Sequence, residues 1–144
     1  MADRPRLQSP GRRGRLGPIG VALLTGILSG MGAFMYSRAG LLPNPVPGWM
    51  PSAVVLLAGV YTFLLVRDIR GSVAAMLVAS AIGIAILIAA WVAPLWLLPY
   101  PPAARDLLLP GLLQRAVTTA ITTYLLLFLG GYLTTLMVAG YLDW

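Results

Sequence analysis

Histidine, cysteine, glutamate and lysine are all missing from these 144 residues. Without cysteine there is no disulfide, no thiolate nucleophile and no cysteine-held metal or iron–sulfur cluster. Without histidine and glutamate, the chain lacks the commonest haem and metal ligands and the usual proton-relay groups of membrane proteins. The lysine of a phosphate-binding loop is missing as well. We therefore expect no catalytic residues, no metal site, no bound cofactor and no enzymatic activity.

Charged residues are scarce, because only 10% of the chain is charged while 59% is hydrophobic. A soluble domain typically carries about 25% charged residues. Four apolar stretches contain no charged side chain, at roughly 18–37, 49–66, 72–93 and 116–138. Each is close to the length of about 20 residues that crosses a bilayer, and the second is the shortest. The sequence thus predicts an all-α polytopic membrane protein, with a basic tail at 1–16 and a four-helix transmembrane domain at 17–144.

The distribution of arginine predicts the orientation of these spans. Loops on the cytoplasmic side carry an excess of basic residues. With the N-terminus inside, the inner set holds the five arginines of the tail together with Arg67 and Arg70, and the outer set holds only Arg38, Arg105 and Arg115. Both termini are therefore predicted to be cytoplasmic. We expect an integral, multi-pass protein of a prokaryotic cytoplasmic membrane, and read the use of arginine for every basic residue as the mark of a GC-rich genome.

Proline marks the outer loops. The segment between the first two spans is proline-rich, and Pro94 is expected to end or kink the third span. Prolines also interrupt residues 97–113, which we expect to form an outer segment with a short amphipathic turn on the membrane surface. The inner connection at residues 67–71 is short, so the second and third spans are predicted to form an antiparallel hairpin.

Small residues recur at every fourth position in three of the spans, which places them on one face of each helix. Such faces let helix backbones approach closely in a membrane. We predict that they pack within the bundle; the alternative is that at least one docks a partner. The predicted packing residues are Ala22, Gly26, Gly30, Gly71, Ala75, Ala79, Gly83, Gly131, Thr135 and Ala139.

Arginines flanking the spans are the candidate binding residues. Arg12, Arg13 and Arg15 are predicted to contact lipid headgroups or an acidic partner surface. Arg38 and Arg115 fall on the side that should carry few positive charges. Each either extends to lipid headgroups or holds a partner or an anionic lipid.

The last span carries threonine pairs, at 118–119, 122–123 and 134–135. A threonine hydroxyl in a transmembrane helix can donate to the carbonyl four residues earlier, so that it needs no other partner. The alternative is a polar stripe that faces another subunit or a water file.

These features predict a non-catalytic accessory or structural subunit of a larger membrane complex. A respiratory or photosynthetic electron-transfer assembly is the expected host. The expected partners are larger membrane subunits and membrane lipids, with no nucleic acid. One alternative is a small homo-oligomeric transporter or channel protomer lined by the threonines of the last span; another is an assembly factor that binds a complex transiently.

Overall fold

The computed structural model describes residues 17–38, 40, 46–66 and 68–142. Helices make up 88% of these residues, and the described part of the chain contains no strand. The predicted all-α fold is confirmed at this level. The basic tail, with Arg12, Arg13 and Arg15, lies outside the described residues.

Six α-helices and one π-helical segment follow one another along the described residues. They are α1 (Pro18–Ser37), α2 (Met50–Leu65), α3 (Ile69–Val92), α4 (Pro94–Leu97), α5 (Pro102–Thr119), the π segment (Ala120–Leu125) and α6 (Leu126–Tyr141). The α3–α4 pair forms one rod of 29 residues, and α5, the π segment and α6 form another of 40 residues. With α1, these rods are long and apolar enough to cross a membrane, which indicates an integral membrane protein. The fourth apolar helix, α2, is shorter, at 16 residues.

Proline and aspartate fix where the helices begin. Pro18, Pro51 and Pro102 each lie in the first turn of a helix, where a residue without an amide hydrogen costs no hydrogen bond. Asp68 caps α3, because its carboxylate accepts a hydrogen bond from the amide of Gly71 at 2.8 Å.

The prediction for residues 97–113 is wrong over most of its length. Residues from Pro102 onward form a regular helix that continues through Pro110 into the last span. A proline inside a helix removes one backbone hydrogen bond and leaves the carbonyl four residues earlier unpaired. That carbonyl belongs to Asp106, and both Asp106 and Pro110 are exposed. Water can therefore solvate the unpaired group, so the helix tolerates the proline.

The four apolar rods form a ring in the order α1, α2, the α5–α6 rod and the α3–α4 rod. In the third rod, α6 packs on α2, whereas α5 and the π segment pack on α3. Gly26 lies against Ala79 and Gly30 against Gly83, so α1 and α3 run parallel. Gly32 lies against Pro51 and Val55, which makes α1 and α2 antiparallel. The predicted hairpin of the second and third spans is antiparallel and tightly connected, but α3 packs chiefly on α1 and only slightly on α2.

Glycines set the distance between neighbouring backbones at two interfaces. A methyl group at Gly30 would lie 2.6 Å from the carbonyl oxygen of Gly83, and one at Gly26 would lie 2.8 Å from that of Ala79. At the second interface, between α2 and α6, methyl groups at Gly59 and Gly131 would overlap the facing backbone. Close backbone contact is a main source of helix association in lipid, where hydrophobic driving force is small.

We predict that Gly30→Ala lowers the free energy of unfolding by about 1–3 kcal/mol, because the added methyl group forces α1 and α3 apart. Gly130→Ala is the matched control, since a methyl group there meets nothing within 4 Å. Alanine is the better helix former, so this control should be neutral or more stable by up to about 1 kcal/mol. Denaturant unfolding in micelles, followed by circular dichroism, measures both. Equal losses in the two variants would contradict the packing argument.

Candidate functional site

A polar cleft opens at the end of the bundle where α1 and α3 finish and α5 runs past them. We call it the arginine cleft, and its volume is about 630 Å³. Its lining comes from the last residue of α1, the end of α3 and one face of α5: Ser37, Trp91, Gly111, Gln114, Arg115, Thr118 and Thr119. No acidic side chain is among them.

The geometry of α5 explains why these residues meet. Gly111, Arg115 and Thr118 are separated by four and three positions, so they share one face of the helix. Gly111 lies in open space, because a methyl group there would meet nothing within 4 Å. The helical continuation through Pro110 is what brings this face to the bundle.

Trp91 forms the inner wall of the cleft. Its ring meets the edge of Phe34 at a centroid distance of 6.1 Å, and the guanidinium carbon of Arg38 lies 4.5 Å from its centroid. This distance permits a cation–π interaction that holds the Arg38 charge beside the cleft. Trp91 is only 6% exposed, and its indole Nε1 has no hydrogen-bond partner among the described residues.

Arg105 lies at the same end of the bundle in a separate, smaller cleft. Its guanidinium carbon is 5.4 Å from the centroid of Trp96, and Asp106 lines the same cleft. The three arginines assigned to the outer side are thus all near one end, two of them stacked on tryptophan rings.

Inside the bundle, Tyr124 joins three helical elements. Its hydroxyl donates to the carbonyl of Ala79 at 3.2 Å and lies 3.2 Å from the hydroxyl of Ser29, which also contacts the carbonyl of Gly26 at 3.1 Å. Ser29 and Tyr124 have one hydroxyl proton each, but together they make three contacts. One of the two protons is therefore shared between two acceptors. Gly83 makes room for the ring, since a methyl group there would overlap the Tyr124 hydroxyl.

A second buried tyrosine repeats this arrangement nearer the other end. The hydroxyl of Tyr132 lies 3.0 Å from that of Ser72, and its ring meets Phe63 edge-on. Both tyrosines are almost fully buried. The interior hydroxyl groups therefore bond within the fold, which suits a structural role.

A broad apolar groove lies at the end opposite the arginine cleft, where α2 stops at Leu65. We call it the α2–α6 groove. It has a volume of about 850 Å³ and is lined by Phe63, Leu64, Val66, Ile69, Leu136, Ala139 and Gly140. The groove exists because α2 is short, and α6 presents small residues to it.

The structure places most of the predicted packing residues at helix contacts. Seven are buried, on the facing sides of α1 and α3 and on α6: Ala22, Gly26, Gly30, Ala75, Ala79, Gly83 and Gly131. Gly71, Thr135 and Ala139 are half-buried. Gly71 belongs to the cap of α3, and Ala139 lines the α2–α6 groove.

Most of the threonine hydroxyls in the last rod bond to their own helix. Thr118, Thr122, Thr134 and Thr135 each donate to the carbonyl four residues earlier, at 2.7–2.9 Å. Thr118, Thr122 and Thr134 are nevertheless exposed on the surface of the rod.

Sequence reasoning did not single out Tyr124, Ser29, Tyr132 or Ser72. The position of Ser29 could have been predicted, because it follows Gly26 by three residues and therefore lies on the same face of α1. The partners are 95 and 60 positions apart in the chain, so no local pattern pairs them.

Within the described residues, no group of three acidic, histidine or cysteine side chains is placed to hold a metal ion. No family model, curated protein or solved structure matches this chain.

We predict that Tyr124→Phe and Ser29→Ala are energetically coupled, because both remove the same hydroxyl contact. Side-chain hydrogen bonds inside membranes average about 0.6 kcal/mol in double-mutant cycles, so we expect a coupling energy of about 0.5–1 kcal/mol. Unfolding free energies of the wild type, both single variants and the double variant provide the measurement.

The matched control is Tyr61→Phe, since Tyr61 lies on α2 and is half-exposed on its outer face. Its combination with Ser29→Ala should show additive effects. Additive effects for Tyr124→Phe as well would contradict the proposed hydrogen bond.

Proposed function

We propose that this chain is a four-span integral membrane protein with both termini in the cytoplasm, and that it serves as a non-catalytic accessory subunit of a larger membrane complex. The observation that carries the proposal is the α2–α6 groove. It is a wide apolar depression between the ends of α2 and α6, at the end of the bundle opposite the arginine cleft.

The shortness of α2 is the physical basis of this groove. Its 16 residues extend about 24 Å at 1.5 Å per residue, against about 30 Å for the hydrocarbon core. A span shorter than the core is accommodated by thinning of the bilayer or by association with other chains. The neighbouring α6 continues beyond the end of α2, so one side of α6 is left without a helix beside it.

The surface of the groove suits another transmembrane helix. Gly140 is exposed, and a methyl group there meets nothing within 4 Å. Ala139 beside it is also small. Small residues on an open helix face let a second backbone approach closely, and close contact drives association between helices in lipid. A helix of a larger subunit is the occupant we propose.

Two further observations support a structural role. The buried hydroxyls of Ser29, Ser72, Tyr124 and Tyr132 bond within the chain. The arginines of the tail supply positive charge for headgroups or an acidic partner surface. A homo-oligomeric channel lined by threonines is the alternative, and Thr118 and Thr122 are exposed as it requires. Their hydroxyl protons are already donated to backbone carbonyls, which weakens this alternative.

The proposed orientation predicts the labelling of introduced cysteines. The natural chain has no cysteine, so each variant carries a single reactive site. Gly48→Cys should react with an impermeant maleimide added outside intact cells, and Arg70→Cys, which lies outside the groove, only after permeabilisation. Both positions are exposed in the structure. The reverse pattern would contradict the orientation, and labelling of both sites from outside would contradict the crossing of α2.

We predict that the chain, extracted from its own membranes in mild detergent, migrates with larger subunits, and that Gly140→Leu reduces this retention at least fivefold. The added side chain fills the groove, where the partner helix would lie. Native electrophoresis with mass spectrometry of the co-migrating chains measures retention. Gly130→Leu is the control, because Gly130 is on the same rod with open space around it but does not line the groove.

Equal retention of the two leucine variants would exclude the groove as the docking surface. A small particle containing only copies of this chain would reject the subunit proposal and favour the channel. Deletion of residues 1–15 in the same assay tests the tail, and unchanged retention would remove Arg12, Arg13 and Arg15 from the proposal.

A further inference from the structure

We infer that the arginine cleft binds the phosphate group of an anionic phospholipid. The inference deepens the proposed function and rests on it in one respect, namely that the chain crosses a membrane. It assigns a ligand class to Arg115 and Arg38 and gives Trp91 a part in the site.

Electrostatics is the first reason. Arg115 lines the cleft, and Arg38 directly follows the lining residue Ser37 and stacks on Trp91, which also lines it. Two positive charges thus lie in or beside a cleft that has no acidic lining residue. A partly enclosed site with charges of one sign concentrates the opposite charge.

The inventory of hydrogen-bond donors is the second reason. Ser37 and Thr118 already donate to the carbonyls of Phe34 and Gln114, at 2.7 and 2.9 Å. Among the residues that the structure describes, the Arg115 guanidinium, the Gln114 amide and the Thr119 hydroxyl remain as donors in the lining. Arginine presents a planar set of N–H groups that fits phosphate in a bidentate manner.

Trp91 supplies a third, independent reason. Its indole Nε1 is a donor only, and it is buried without a partner among the described residues. Buried polar groups are nearly always hydrogen-bonded, so a donor without a partner among the described residues, on a tryptophan that lines a basic cleft, is available to an acceptor from a bound ligand. An anionic oxygen is the acceptor that the surrounding charges favour.

The position of the cleft favours a lipid over a soluble anion. It lies at the ends of α1 and α3, where transmembrane helices meet the headgroup region. Val117 and Ile121 follow on the same rod and are exposed, so apolar surface for acyl chains begins directly beside the cleft. A volume of about 630 Å³ is within the usual range for small-molecule sites, roughly 300–1,000 Å³.

The site also explains an irregularity in the charge distribution. Basic residues are disfavoured in short loops on the outer side of a membrane. Arg38 and Arg115 lie on that side in the proposed orientation, far apart in the chain yet in or beside the same cleft. A bound anion explains why both arginines lie on the outer side, because each then has a negative charge beside it.

Native mass spectrometry of the purified full chain tests the inference. The detergent-solubilised protein is incubated with phosphatidylglycerol, with phosphatidylcholine of the same acyl chains, or with glycerol 3-phosphate. We expect retention of phosphatidylglycerol well above that of phosphatidylcholine, and a decrease of roughly five- to tenfold in Arg115→Gln, the effect of losing one cationic contact near a membrane surface. Arg105→Gln is the control, since it removes the same charge at the same end but from a different cleft.

The variants separate the outcomes. Equal losses in Arg115→Gln and Arg105→Gln, or equal retention of the two phospholipids by the wild type, would overturn the inference. If glycerol 3-phosphate binds with the same dependence on Arg115, the cleft is confirmed as a phosphate site but its ligand is a soluble ester. Unchanged thermal unfolding of both variants in phosphatidylcholine shows that the fold is intact.

The subunit proposal is tested separately. Because the lipid assay uses the isolated chain, loss of the larger complex does not affect it. If native electrophoresis finds no larger partner while retention of phosphatidylglycerol depends on Arg115, the lipid site is supported and the subunit proposal is rejected.

Discussion

The contact between the backbones of α1 and α3 is the constraint on which the rest of the structure depends. Gly26 and Gly30 lie directly against the backbone carbonyl groups of Ala79 and Gly83. This contact aligns the two helices in parallel, so their ends coincide and Ser37 and Trp91 meet at the arginine cleft. It also brings Ser29 and Ala79 together as partners for one tyrosine hydroxyl. A single interface thus determines both the polar interior and the surface cleft.

The apolar helices could be predicted from the sequence because each depends on local composition. The absence of charge over 18–37 predicts a helix with the same bounds as α1. The prediction for residues 97–113 failed because proline was read as a helix breaker, whereas the cost at Pro110 falls on an exposed carbonyl that water can solvate. The local sequence identifies the proline, but it does not show whether the carbonyl group left without a hydrogen bond is exposed to water.

The candidate site was only partly predictable, for a different reason. Arg38 and Arg115 stand out because they oppose the expected charge bias. Trp91, which contacts Arg38 and lines the cleft with Arg115, does not stand out, since aromatic residues are frequent at any membrane interface. Pairings such as Ser29 with Tyr124 depend on which helices are neighbours in the ring. The tight turn between α2 and α3 predicts their antiparallel arrangement but not that α3 packs chiefly on α1. A connection limits the distance between two helix ends without requiring the helices to pack along their length.

The π segment at Ala120–Leu125 limits which insertions and deletions the chain can accept during evolution. A π turn holds one more residue than the α turn it replaces, and it divides the rod into two registers. On one side Ala116 faces the bundle, and on the other Gly131 faces Leu56 of α2. Loss of one residue within the segment would rotate α6 by about 100° relative to α5 while leaving hydropathy almost unchanged. The number of residues in this segment is therefore more strictly constrained than their identity.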